Sequence, residues 1–257
     1  MKIENIDNGN AFDFGKTSAE YAKYRDIYPK ELYDKLYEIG IGRKGCSWLD
    51  IGTGTGVLPL NMFSYGADIK AIDISCSQIA AAKTLATEKG ADNIEFSVSP
   101  AEETPFENNS FDCITAAQCF WYFNREKIIK EIKRLLKPNG IFVKIYMSYT
   151  LDDEIAKRSH ELVKKINTSW TPGASGSKDM YNHPFENGKL DIFECKLPFT
   201  RESWHGRMLA CRGTKASMDK ETLEKWNEEH VKMLESYPNS FTVKHKVYIA
   251  AYEVNKL

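Results

Sequence analysis

The chain has 257 residues, of which 42% are apolar, and 35 Lys+Arg against 36 Asp+Glu leave a formal charge of −1. Such a length supports one large domain, or a domain with a lobe, and the balanced charge argues against a broad nucleic-acid footprint, which needs a basic surplus to displace counterions. No run approaches the ~20 apolar residues of a bilayer span, and the start Met1-Lys2-Ile3-Glu4-Asn5 lacks a signal peptide's apolar stretch, so a cytoplasmic protein with no membrane partner is expected.

Periodicity predicts a helix over 31–39, where Leu32, Leu36 and Ile39 share a face, stopped by Gly40, Gly42 and Gly45. Strands follow at Ser47–Ile51, Ile69–Ile74, Ile94–Ser99, Phe111–Ala117 and Ile141–Met147. Between them lie helices over 56–65, Ser77–Lys89 and Lys127–Leu136, the last closed by Pro138-Asn139-Gly140. Strands alternating with helices indicate a parallel sheet built from right-handed crossovers. After residue 150 the rhythm changes. A charged helix (Leu151–Ile166) leads into a Gly/Ser-rich loop, Thr171–Lys178, then a strand (Leu190–Leu197), helices (Thr200–Cys211 and Lys220–Glu235) and a closing strand, Thr242–Val254. The expected division is 1–150, a nucleotide-type half with an N-terminal lid helix, and 151–257, a lid or substrate lobe inserted among the closing strands.

The six cysteines (46, 76, 113, 119, 195 and 211) form no C-x-x-C pair and have no His at ligand spacing, so no metal site is expected. Packed, reduced thiols are the ordinary reading. Cys119 falls in a segment that lines the candidate site.

The sharpest motif is Asp50-Ile51-Gly52-Thr53-Gly54-Thr55-Gly56, directly after the first strand. Glycines there let the backbone turn sharply and approach a ligand, and the next helix offers free N–H groups. The dinucleotide fingerprint needs glycine where Val57 stands, and a P-loop needs a terminal Gly-Lys-Ser/Thr. Asp73 ends the next strand, where a carboxylate can accept both hydroxyl hydrogens of a ribose. Asp50 suits either a ligand amino group or a bond that holds the loop.

On these residues the chain resembles the class I S-adenosylmethionine-dependent methyltransferases. It is most similar to the small-molecule group that includes the ubiquinone/menaquinone-biosynthesis and trans-aconitate types. Ser99-Pro100-Ala101-Glu102 with Pro105-Phe106 is similar to the adenine-contacting loop, with Ser99-Pro100 in place of the usual Gly-Asp. Ser110-Phe111-Asp112 and Lys137–Ile141 match later landmarks. The resemblance implies a Rossmann-like α/β fold: a seven-stranded, mostly parallel sheet with helices on both faces, an antiparallel last strand and a small helical substrate lobe. It implies S-adenosylmethionine as cofactor, no metal, and a cofactor site made from Tyr21, Arg25, Asp50, Gly52, Thr53, Gly54, Gly56, Asp73, Ile74, Gln78, Ala101, Glu102, Ala117 and Gln118.

Tyr21–Pro29 is similar to a segment that packs over the cofactor in the trans-aconitate group, with Asp26 where proline is usual. Tyr21 and Arg25 would then close the methionine end, Arg25 through its two-pronged fork; an ordinary surface ion pair is the competing reading. Gln118-Cys119-Phe120-Trp121-Tyr122-Phe123 follows the fourth strand, at the sheet edge where ligands sit in open α/β folds. Its aromatics suit a flat substrate or a sulfonium, or plain packing; Gln118, Trp121 and Tyr122 are the expected site members. Trp204, Arg207 and Cys211 share one helical face. Trp204 and Arg207 are candidate substrate contacts, Arg207 meeting a substrate acid or a carboxylate within the lobe. No Asp/His or Cys/His pair stands at telling spacing. A mechanism of positioning follows, with His205 and Tyr146 as candidate bases. The acceptor is then a small molecule, with an oxygen, sulfur or carbon nucleophile. A non-catalytic cofactor-binding module is the alternative, and a nicotinamide dehydrogenase is disfavoured by Val57.

Overall fold

The computed structural model describes residues 2, 4, 6–24, 27–171 and 176–254, without the side chains of 176 and 177. Arg25, expected at the cofactor, lies outside these residues, as do Asp26 and residues 172–175 of the Gly/Ser-rich loop.

In chain order the elements are α1 (Ser18–Tyr24), α2 (Lys30–Glu38), β1 (Ser47–Ile51), α3 (Val57–Met62), β2 (Asp68–Asp73), α4 (Cys76–Lys89), β3 (Ile94–Val98) and β4 (Phe111–Ala117). There follow α5 (Arg125–Leu135), β5 (Leu136–Tyr149), α6 (Glu154–Ile166), α7 (Gly176–Met180), β6 (Lys189–Thr200), α8 (Arg201–Leu209), α9 (Lys220–Leu234) and β7 (Ser240–Val254). The strands form one seven-stranded sheet in the order β3-β2-β1-β4-β5-β7-β6. The pairs β3–β2, β2–β1, β1–β4 and β4–β5 are parallel, and the last strands run antiparallel. The expected Rossmann-like architecture is thus the one observed.

The chain divides into two compact units that do not follow a single cut after residue 150. One comprises 28–147, 175–192 and 247–257; the other comprises 1–27, 148–174 and 193–246. The N-terminal segment therefore belongs with the later helices, where the sequence placed it with the nucleotide-type half. Within its unit, Asp7 Oδ1 accepts from the Thr171 backbone N–H at 2.9 Å and pairs with the Arg212 guanidinium at 2.6 Å. Those contacts are between residues far apart in sequence, which local periodicity does not report.

Local chemistry sets the boundaries. The side chain of Ser75 accepts from Gln78 N to start α4, and Gly90 ends it at φ 66°. The α6 helix begins at Glu154, three residues later than expected, because Asp153 caps it by accepting from Ala156 N. On α5, Ile128, Ile132 and Leu135 are buried on one face, and Asn124 caps the start. The strand β5 begins at Leu136, five residues earlier than expected. Leu136 pairs with Phe111 and Ile141 with Cys113, so Lys137–Gly140 bulge opposite Asp112 alone, and Lys137 Nζ closes the bulge on Asp112 Oδ2 at 2.9 Å. In the sheet centre Leu49, Ile51, Ile72, Ile114 and Ala116 are buried, the continuous apolar pattern of strands covered on both faces.

Candidate functional site

The parallel strands β1, β2, β3 and β4 end on the same side, and their following loops carry the candidate residues. The turn after β1 is built by positive φ: Gly52 at 64°, Gly54 at 58° and Gly56 at 78°. A Cβ on Gly52 would lie 2.7 Å from Cys119 Sγ, and one on Gly56 would lie 2.8 Å from the Phe96 ring. Both positions therefore demand glycine twice, by conformation and by space. Thr53 N–H donates to the Ile72 carbonyl at 2.9 Å, fastening the turn to β2.

Asp73 ends β2 facing this turn. Its Oδ2 accepts from Gly54 N–H and its Oδ1 from Ser75 N–H, both at 2.9 Å. Burial raises its pKa, and the backbone hydrogen bonds from Ser75 and Gly54 pull the other way. A carboxylate has about four acceptor positions, and with the backbone N–H groups of Ser75, Gly54 and Ile74 acting on it, room is left for a further donor. Beside it Ile74 is 65% exposed and Val98, ending β3, is 54% exposed. Aliphatic surface next to a carboxylate matches the chemistry of a nucleoside: hydroxyls on the acid, a flat base on the apolar pair. Ser99 N–H is tied to the Asp73 carbonyl at 3.1 Å, Ala101 is buried, and Glu102 Oε1 accepts from Asn124 N–H at 2.9 Å. Gln78 is buried in the first turn of α4.

Asp50 is buried, and burial pushes its pKa up to about 6 against the Thr115 hydroxyl, which donates to Oδ1 at 2.5 Å. Thr115 Oγ1 in turn accepts from Trp48 Nε1 at 2.8 Å. This chain holds the end of β1, the loop-fastening role considered for Asp50. Sequence reading missed Trp48 and Thr115, because their partnership depends on the β1–β4 register. It also missed Val98, whose signal was only its place at a strand end.

At the end of β4, Ala117 pairs with Ile145, and Gln118 adopts φ 64°. A non-glycine residue there is strained, and two bonds hold it: Gln118 N–H donates to the Ile145 carbonyl at 2.9 Å and Nε2 to the Met147 carbonyl at 2.6 Å. Cys119 Sγ donates to the Ile51 carbonyl at 3.2 Å, and burial keeps its thiol protonated. Phe120–Tyr122 form a 3-10 turn. The Trp121 ring meets Tyr122 and, edge-on, Tyr146, each with centroids 5.2 Å apart. The expected site residues from Asp50 to Tyr146 all lie within one compact unit.

Tyr21, Trp204, His205 and Arg207 belong to the other unit. Tyr21 lies on α1 and is half-buried. Trp204 is fully buried, with Nε1 donating to Ser159 Oγ at 2.9 Å and its ring against Phe199 and Tyr149. The Arg207 guanidinium lies over the rings of Tyr149 and Trp204, and Nη1 donates to Cys211 Sγ at 3.0 Å. His205 stacks on Trp226 and His230, with its Nδ1 2.8 Å from His230 Nδ1. Burial lowers the pKa of His205. Among the described residues no cluster of three or more His, Cys, Asp or Glu is arranged to hold a metal, and no helix is long and apolar enough to cross a membrane.

Residues 43–194, more than half of the chain, match the family model described as a methyltransferase domain. This chain belongs to the methyltransferase family. An uncharacterised methyltransferase of Bacillus subtilis, YcgJ, is 29% identical over 185 residues, spanning 70% of each chain. The ubiquinone/menaquinone biosynthesis C-methyltransferase UbiE of Brucella canis is 32% identical over 56% of each. The solved YcgJ structure superposes with a TM-score of 0.55 at 21% identity, covering 88% of this chain and all of that one. A Haemonchus contortus phosphoethanolamine N-methyltransferase, solved with S-adenosylhomocysteine, gives 0.53 at 18% identity, covering 88% of this chain and 53% of its own. These likenesses carry the fold; the family assignment rests on the domain match.

Proposed function

We propose that this chain binds S-adenosylmethionine on the glycine turn and Asp73, and transfers its methyl group by in-line displacement to a small acceptor with an oxygen, sulfur or carbon nucleophile. The observation that carries this reading is the meeting of Gly54 N–H with the Asp73 carboxylate at 2.9 Å, with acceptor capacity left over and exposed Ile74 and Val98 alongside. When bound, the cofactor supplies a methyl group on a positively charged sulfur. Asp73 would accept from the ribose hydroxyls, and Ile74 and Val98 would cover the base with Ala101 behind them. Gly52, Thr53, Gly54 and Gly56 give the backbone its close approach. Asp50, raised towards neutrality, would favour an ammonium group beyond the turn once ionised.

Trp121, Tyr122 and Tyr146 offer aromatic faces at the ends of β4 and β5, suited to a flat acceptor or to a cation. Holding two reactants in line supplies much of the acceleration by itself, and Tyr146 is the base candidate on this edge if the acceptor must lose a proton. The −1 charge favours a small acceptor over nucleic acid, and a cytoplasmic setting accords with it. The test is calorimetry with S-adenosylmethionine, S-adenosylhomocysteine and NAD, followed by methyl-labelled turnover on a metabolite panel. Binding of the first two but not NAD, lost in Asp73→Ala, supports the reading; binding of NAD alone overturns it. Cofactor binding without turnover of any acceptor would favour a non-catalytic module.

A further inference from the structure

Two thiols meet at the end of β1 away from the glycine turn. Cys46 Sγ and Cys113 Sγ lie 3.2 Å apart, whereas a disulfide bonds at about 2.05 Å. Trp48 is the register partner of Cys113. Cys46, two residues earlier on the same face, is therefore its diagonal neighbour. It sits just ahead of β1, closing a turn in which its N–H donates to the Arg43 carbonyl at 2.9 Å. Diagonal neighbours in a regular ladder are about 7–8 Å apart between Cα atoms, so closing a bond draws on that turn rather than on the strands. The two sulfurs differ in setting. Cys46 is half-buried and Cys113 is fully buried in β4. The hydrogen bond with Cys113 lowers the Cys46 pKa, with the Lys137 charge helping and burial and the Asp112 carboxylate opposing, while burial holds Cys113 itself protonated.

We infer that Cys46 and Cys113 form a two-thiol oxidation site, in which Cys46, the less buried of the two, reacts with a peroxide and buried Cys113 resolves it as an intramolecular disulfide. The Cys46 thiolate attacks one peroxide oxygen, the O–O bond breaks, and one water leaves after protonation. Cys46 is then a sulfenic acid. The Cys113 sulfur attacks the Cys46 sulfur, its proton goes to the departing hydroxide, and a second water leaves. Two thiols lose two electrons to one hydrogen peroxide, giving one disulfide and two waters. Exposed Cys76 serves as an internal comparison.

The experiment exposes the full chain to stoichiometric hydrogen peroxide, blocks remaining thiols with N-ethylmaleimide, and maps peptides without reduction. The expected product is a Cys46–Cys113 crosslink in most molecules, reversed by dithiothreitol, with Cys76 giving no intramolecular link. Cys46→Ser should abolish the crosslink and leave Cys113 as thiol. Cys113→Ser should leave Cys46 as a sulfenic acid that dimedone traps, which a merely buried pair would not give. Accumulation of oxidised Cys46 beside a free Cys113 in the wild-type chain overturns the proposal. So does a Cys46 that stays reduced while Cys76 is oxidised.

Discussion

Gly54 donates its backbone N–H to Asp73 Oδ2 at 2.9 Å, so the turn after β1 and the end of β2 are already locked together around a carboxylate. The same oxygen pair also takes Ser75 N–H, which fixes the carboxylate plane. A ligand meeting Asp73 does not have to order it first, and this lowers the cost of binding.

Asp73→Ala should therefore abolish detectable S-adenosylmethionine binding, and Asp73→Asn should weaken it by about 10–100-fold, the worth of one hydrogen bond to a charged group. Calorimetry checks both. Asp73→Asn binding at wild-type strength would mean that the acid only fastens the turn.

Gly52 and Gly90 share nearly the same backbone, φ 64° and 66°, but not the same surroundings. A Cβ at Gly90 meets nothing within 4 Å, whereas one at Gly52 lies 2.7 Å from Cys119 Sγ. Gly90→Ala should cost about 1 kcal/mol, the left-handed penalty alone. Gly52→Ala should cost about 1–3 kcal/mol more through overpacking, and Cys119→Ala in the same chain should return part of the excess. Urea unfolding of the four proteins measures this. Equal losses at the two glycines would show that Cys119 gives way freely.

The central strands, the glycine turn and Asp73 were legible because each depends on neighbours in sequence: a strand period, a run of glycines, an acid at a strand end. Trp48, Thr115 and Cys113 carry no such signal. Their roles arise from the register between β1 and β4, which pairs residues more than sixty positions apart. The early start of β5 was hidden for a related reason: Pro138-Asn139-Gly140 reads as a turn, and only pairing across from Asp112 makes it a bulge within a strand. The grouping of residues 1–27 with later helices was equally invisible, since it rests on pairs such as Asp7 with Arg212.

His205 and His230 share one short Nδ1–Nδ1 contact of 2.8 Å, which needs a proton on one ring and a lone pair on the other. Burial, then the neighbouring His205, lowers the pKa of His230 from 6.5 to about 3. The unfolded chain thus binds a proton below pH 6.5 that the folded chain refuses, and stability falls as pH drops through that window. By linkage the loss reaches about 1.4 kcal/mol at pH 5.5. Asp50, raised to about 6, has the opposite sign, stabilising towards acid and losing that as pH rises through 6. It is common to wild type and His230→Gln, so their difference isolates the contacting pair His205 and His230. Between pH 7 and 5.5 the wild type should lose about 1–2 kcal/mol more than the variant, read by denaturant unfolding; parallel pH profiles would refute the assignment.

Lys144 is a fully buried lysine in β5. Its Nζ donates to Asp179 Oδ2 at 3.0 Å and to the carbonyls of Asp179 and Asn182 at 2.7 and 3.1 Å, and it lies over the Phe120 ring at 5.0 Å. All three ammonium hydrogens are used, which is how a charge survives burial. Burial lowers its pKa while Asp179 pulls it back up. Lys144→Met removes the donor and leaves Asp179 with the Arg125 guanidinium, 3.9 Å away, so the loss should be about 3–5 kcal/mol. Adding Asp179→Leu removes the carboxylate that has lost its close partner, and the double variant should be about 1–3 kcal/mol more stable than the sum of the single losses implies. The Asp179 carbonyl loses its lysine donor, while Arg125 Nη2 still donates to the Asn182 carbonyl at 3.3 Å, so recovery should be partial. Urea unfolding across the cycle decides it: additive losses would mean that the ammonium serves the carbonyls and the Phe120 face, and that Asp179 contributes nothing to holding it.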